Sequence, residues 1–197
     1  MPILAGERAS VLDTETTGMS PATGAALVEI ARVEIEGGML GDAWASLVRP
    51  GRPIPPDAIA VHGITDGMVA DAPTPAEVAA RLRARVDDRT LVFHNASFDL
   101  PFLVALLRDA AQPPLYNPIV DTLGLARGLF GPGSNALGQL AERMGLPAET
   151  KHRALGDART TARVFLGLAA RWEAERGIRS LSELAAVSQD VMRVARR

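Results

Sequence analysis

The stretch ALVEIARVEIEGGMLGDAWASLV, Ala26 to Val48, decides the fold class. Over 26–36 apolar and polar side chains alternate, the period-two pattern of a half-buried strand. Gly37-Gly38 then reads as a hairpin turn into a second alternating run, Met39 to Val48. Upstream, Val11-Leu12-Asp13 opens another strand, which Gly18 ends. Downstream, the Pro-rich residues 50–56 form a stiff loop. Thr74-Pro75-Ala76-Glu77 starts a helix, with Thr as N-cap, Pro at the first helical position and Glu as the partner of a capping box. Thr90–His94 reads as a short apolar strand, Ser97–Asp109 as a helix and Ile119–Asp121 as another short strand. Helical segments follow near 122–129 and 135–144, then a longer helix from about Ala154 to Trp172. Ser180 with Glu183 caps a last helix to about Arg196. Three strands joined by short turns, then strands alternating with helices, predict an α/β fold with a mixed sheet and helices on its faces.

The 197 residues are 47% hydrophobic and 22% charged, the make-up of one globular domain. No apolar run approaches the roughly 20 residues that cross a bilayer. Residues 1–8 lack a basic start followed by an apolar stretch, so no secretory signal is expected. With no cysteine there is no disulfide, thiolate zinc site or cysteine nucleophile. The expectation is a cytoplasmic protein with no membrane partner. Net charge is −2, but residues 1–150 carry 11 basic and 18 acidic side chains against 10 and 5 in 151–197. An acidic body with a basic C-terminal segment suits a metal site that must also tolerate a phosphate backbone. Glu173–Arg179 is the boundary expected between a main domain, 1–175, and an amphipathic C-terminal helix, 176–197. There Leu181, Leu184, Val187, Val191 and Val194 fall at helical spacing. That helix is expected to pack on the same domain; a polymerase or a second copy is the alternative partner.

Three groups of polar residues carry the chemistry. Asp13 and Glu15 sit two apart in an apolar strand, so both carboxylates face the same side of the sheet. Two like charges that close need a neutralising partner, and a hard divalent cation is one answer; a strand end reaching water is the other. Asn95 and Asp99 are four apart and share a helix face where an apolar strand meets a helix. Asn95 or Ser97 could equally serve there as N-cap. His152 and Asp157 are five apart, so they serve one site only if His152 lies in the loop before the helix. On such a loop His152 would be a natural general base. Together, four carboxylates and one histidine on a strand and two helices match a hydrolytic site with two divalent cations, Mg2+ or Mn2+.

The sequence resembles the DnaQ-like 3′–5′ exonucleases, the DEDD superfamily with histidine as general base. Their Asp-x-Glu motif stands here as Leu12-Asp13-Thr14-Glu15-Thr16-Thr17-Gly18. The second is His94-Asn95-Ala96-Ser97-Phe98-Asp99, and the third His152-Arg153-Ala154-Leu155-Gly156-Asp157. Val61-His62-Gly63-Ile64-Thr65 is similar to a further element of the proofreading (epsilon) subunit of bacterial DNA polymerase III. Val120-Asp121-Thr122-Leu123 is similar too, with Asp121 read as structural. The resemblance covers about 9–172 and implies a ribonuclease H-like fold with a five-stranded mixed sheet. It implies that Asp13, Glu15, Asp99 and Asp157 hold two metal ions, Asp13 bridging both, while His152 takes a proton from the attacking water. Thr16, Thr17 and Gly18 would hydrogen-bond the terminal nucleotide, and His62 and Asn95 would line the same pocket. Phe102 would either stack on a terminal base or belong to the core, and Phe98 is assigned to the core. The implied activity is trimming of single-stranded or frayed 3′ ends of DNA in proofreading or repair, beside a DNA polymerase subunit or alone. The alternatives are an exonuclease acting on RNA or short oligonucleotides, and a non-catalytic binding module.

Overall fold

A computed structural model describes residues 2–147 and 149–194. The elements run β1 (Arg8–Thr16), β2 (Leu27–Glu36), β3 (Met39–Leu47), α1 (Pro56–His62), α2 (Asp66–Val69), α3 (Pro75–Val86) and β4 (Thr90–Phe93). They continue α4 (Ala96–Asp109), β5 (Ile119–Asp121), α5 (Thr122–Phe130), α6 (Leu137–Arg143), α7 (Ala154–Arg176) and α8 (Leu181–Val194). The expected end of the last helix, at Arg196, lies outside the described residues.

The five strands form one mixed sheet in the order β3-β2-β1-β4-β5. β1–β2 and β2–β3 are antiparallel, while β1–β4 and β4–β5 are parallel. Alternation along β1 sorts its side chains between two layers. Val11 joins Phe165, Leu168 and Trp172 of α7 on one face, and Leu12 joins Leu82 of α3 and Leu103 of α4 on the other. Because helices cover both faces, β2 is not half-buried as its alternation suggested. Leu27 to Val33 are all buried, including Glu29 and Arg32 at 4% exposure each. These two charges survive burial because each has a partner: Glu29 meets Arg153, and Arg32 meets Glu34 and the Ser10 hydroxyl.

The capping box at Thr74 forms as its sequence dictates, with the Glu77 N–H on Thr74 Oγ1 and the Glu77 carboxylate on the Thr74 N–H. The two short helices α1 and α2 have no counterpart in the sequence reading. Seven and four residues are too few to establish a 3.6-residue period, and Pro55 and Pro56 disguise the first of them. α8 lies along the open edge of β5. Ser188 Oγ accepts the Asp121 N–H at 3.1 Å and Gln189 Nε2 donates to the Ile119 carbonyl at 3.4 Å, filling places a sixth strand would take. That approach needs a glycine in α5, since a Cβ on Gly124 would stand 2.3 Å from the Ser188 carbonyl oxygen. Among the described residues, no helix is long and apolar enough to cross a membrane.

Candidate active site

A cleft of about 700 Å³ opens where β1 ends, between the start of α4 and the loop before α7. Its lining includes Asp13, Thr14, Glu15, Asn95, Asp99, His152 and Asp157. Asp13 and Glu15 project from one side of β1 and meet Asp157 of α7, with one carboxylate oxygen from each within 4.8 Å of the others. Asp99 comes from the opposite layer. It is 4% exposed and accepts a hydrogen bond of 2.7 Å from Thr14 Oγ1, the β1 side chain between the two acids.

Nothing among the described side chains neutralises this group in full, and the protonation equilibria record that. Burial, then the charges of Asp99, Asp157, Glu15 and Glu29, hold the Asp13 carboxyl well above its ordinary range. Burial and the neighbouring acids push Glu15 up to about 7. Burial likewise takes Asp99 to about 7, against the hydrogen bond from Thr14. Asp157 is raised for the same first reason, with the His152 N–H opposing it. A site of oxygen donors that resists ionising without a counter-charge fits a hard divalent cation. Asp13, Glu15 and Asp157 together could hold one.

The two histidines of the lining differ. His94 Nδ1 lies 2.9 Å from Thr122 Oγ1, and burial drops its pKa to about 4, so it is neutral and a poor proton acceptor near pH 7. His152 is exposed, in the loop before α7, with φ of 55°. Its backbone N–H donates to Asp157 Oδ2 at 2.8 Å, which binds the loop to the carboxylate cluster. Asn95 also has a left-handed φ, 70°. Two of the four described non-glycine residues with positive φ therefore line this cleft, a concentration of backbone strain typical of functional sites.

Capping by Asn95 or Ser97 does not occur. Asp121 does that work: its carboxylate accepts the N–H groups of Asn95, Ala96 and Leu123 at 3.0 Å each. Asn95 is left free to line the cleft, its Oδ1 accepting from Ser97 Oγ.

Other expected site residues lie elsewhere. Phe102 is 2% exposed, packed in the core beneath α4, and is absent from the cleft. Phe98, assigned to the core, is half-buried and lines the cleft beside Asp99, its ring centroid 5.6 Å from that of Phe102. The two rings sit four apart on one face of α4, and what separates them is packing: Phe98, in the first turn, lies at the cleft, while Phe102, one turn on, is enclosed by the core. Thr16, Thr17 and Gly18 do not line the cleft. Thr16 Oγ1 donates to the Gly18 carbonyl and Thr17 Oγ1 accepts the Ala26 N–H, so both hydroxyls brace the loop to β2. His62 is 5% exposed and also outside the lining, with Nδ1 accepting the Ile64 N–H.

Two contributions were missed. Lys151 is the one lysine of the chain and, among the described residues, the one lysine or arginine that lines the cleft. Glu29 of β2 stands directly across from Glu15 in the antiparallel register. It receives Arg153 Nη2 at 2.7 Å and Nε at 3.1 Å, and the Ala154 N–H at 2.9 Å. Only the register of β1 against β2 reveals that pair.

The exonuclease family of RNase T type matches residues 10–165. Over 165 residues the chain is 45% identical to a DNA polymerase III subunit epsilon-like protein of Rhodobacter capsulatus, a match covering 80% of this chain and 23% of that protein. It is 36% identical over 172 residues to the DNA polymerase III subunit epsilon of Escherichia coli, covering 82% of this chain and 71% of that one. Among solved structures it is similar to Exonuclease X in complex with 5′ overhanging duplex DNA. That likeness has a TM-score of 0.70 at 29% identity and covers 91% of this chain and 99% of the other. The mixed sheet with its flanking helices is accordingly ribonuclease H-like.

Proposed function

The chain belongs to the exonuclease family whose pattern spans residues 10–165, and from that membership we propose that it removes nucleotides from the 3′ ends of DNA as 5′-monophosphates. The observation that carries the reading is the meeting of Asp13, Glu15 and Asp157 within 4.8 Å, with Asp99 tied to the same strand through Thr14. These four carboxylates would hold two divalent cations, Mg2+ or Mn2+. When bound, such ions supply Lewis-acid stabilisation of the attacking and leaving oxygens of a phosphodiester.

The remaining work falls to the chain's own side chains. His152, exposed at the cleft rim, accepts the proton of the attacking water at an imidazole nitrogen. Phe98 offers its ring to a base of the substrate end. Lys151 meets a phosphate in a lining otherwise rich in acids. Likeness to polymerase III epsilon subunits supports a role at DNA ends in proofreading or repair, beside a polymerase or alone.

The test is a time course on matched 5′-labelled single-stranded DNA and RNA, and on a duplex with a mismatched 3′ end, with Mg2+, Mn2+ or chelator. The expected result is a metal-dependent ladder shortening from the 3′ end of DNA, fastest at the mismatch, and absent for Asp13→Ala. Preference for RNA would reassign the substrate, and undiminished cleavage by Asp13→Ala would overturn the site.

A further inference from the structure

We propose that Glu29 and Arg153 form a positioning bracket that holds His152 over the carboxylate cluster. The inference rests on the functional reading above and adds to it two residues that touch neither substrate nor metal. Glu29 lies in β2, buried at 4% exposure, and the start of α7 is fastened to it three times. The planar Arg153 guanidinium gives a two-point grip that fixes direction as well as distance. The Ala154 N–H, one of the unpaired donors at the start of α7, takes the same carboxylate.

Arg153 follows His152 directly, and the other side of the loop is also tied. The His152 N–H reaches Asp157 Oδ2, and the Asp157 N–H reaches the Arg153 carbonyl at 3.1 Å. The segment 152–157 is thus a closed turn that begins α7, and among the described residues its side-chain hydrogen bonds to another element all go to Glu29. His152 holds a left-handed φ of 55°, which a histidine adopts at a cost unless its neighbours hold it there. With those bonds to Glu29 gone, that residue can relax to an ordinary φ and turn its ring away from the cleft it lines.

Arg153 has a second effect on the same layout. Glu15 and Glu29 are directly cross-strand, an arrangement that repels unless a cation intervenes. By engaging both Glu29 carboxylate oxygens, Arg153 sets a cation against the acid directly across from Glu15 and leaves Glu15 to face the cleft.

The experiment uses the full chain with Glu29→Gln, Arg153→Gln and the milder Arg153→Lys, each alone and combined with His152→Ala. Displacing a reacting group by about 1 Å costs up to about 100-fold in rate. Glu29→Gln and Arg153→Gln should therefore lower kcat about 10- to 100-fold, with KM and Mn2+ affinity within about two-fold of the parent. Arg153→Lys, which keeps the charge but loses the fork, should fall between. In the His152→Ala background the same substitutions should change the residual rate by less than about two-fold, because no histidine remains to be positioned. An equal loss with and without His152, or a loss that follows Mn2+ affinity or melting temperature, would overturn the bracket. A parent enzyme with no metal-dependent trimming would fail the functional reading itself. An active parent with fully active Glu29 and Arg153 variants would fail only this inference.

Discussion

Without metal, the cleft carboxylates should make the protein less stable as pH rises, and Asp99 sets the scale. Its pKa moves from the ordinary value of 3.8 in the unfolded chain to about 7 in the folded one. The folded state therefore binds more protons between these values, and stability falls as pH climbs through 7. A group so shifted favours the fold by about 3 kcal/mol at pH 5 and by almost nothing at pH 8. For a chain of this length that corresponds to a fall in melting temperature of about 5–10 °C from this one carboxyl. Asp99→Asn keeps the shape and an acceptor for Thr14 but cannot titrate, and it relieves Asp13 of a neighbouring charge. The assay is thermal unfolding of parent and variant in chelator at pH 5 and pH 8. The difference between their pH slopes isolates Asp99 from the other titrating groups. The variant should lose the Asp99 share of the pH dependence, leaving that of Asp13, Glu15 and Asp157, and melt above the parent at pH 8. Mn2+ should raise the parent's melting temperature at pH 8, and at pH 6 its binding should release protons, since binding requires ionised carboxylates. Parallel slopes for parent and Asp99→Asn would refute the claim that Asp99 is held protonated.

Replacing His152 with Ala should cut kcat about 10²- to 10⁴-fold and leave Mn2+ affinity intact, as titration calorimetry would read; lost affinity would make His152 a ligand instead. Phe98→Ala should raise KM for DNA with a modest loss of stability. Phe102→Ala, emptying a site 2% exposed, should cost about 3–5 kcal/mol by denaturant unfolding and leave KM unchanged. Asp121→Ala would free the Asn95, Ala96 and Leu123 N–H groups together. It should destabilise by about 2–4 kcal/mol and lower metal affinity through the shifted α4, whereas Asp121→Ser, which can still accept one of them, should lose less.

The order of the strands and longer helices and the three motifs were legible in the chain, as was the condition that His152 precede its helix to share a site with Asp157. Each is local: a period of two or 3.6, a cap, or a spacing of two, four or five residues that places side chains on one face. Local pattern also marked Asp13, Glu15, Asp99 and Asp157 as acids in apolar surroundings. What it could not supply was the other side of each contact. β2 alternates in sequence yet is covered on both faces, because α7 arrives from 125 positions away to cover the side that carries Glu29, Ala31 and Val33. Phe98 and Phe102 are equivalent along α4, and only the sheet beneath separates a cleft wall from a core ring. Asp121 took the capping role from Asn95 through the register of β4 and β5, and Glu29 found Arg153 across 124 positions through the packing of α7 on β2. Such pairings depend on how strands align and helices pack, which no single stretch of chain encodes.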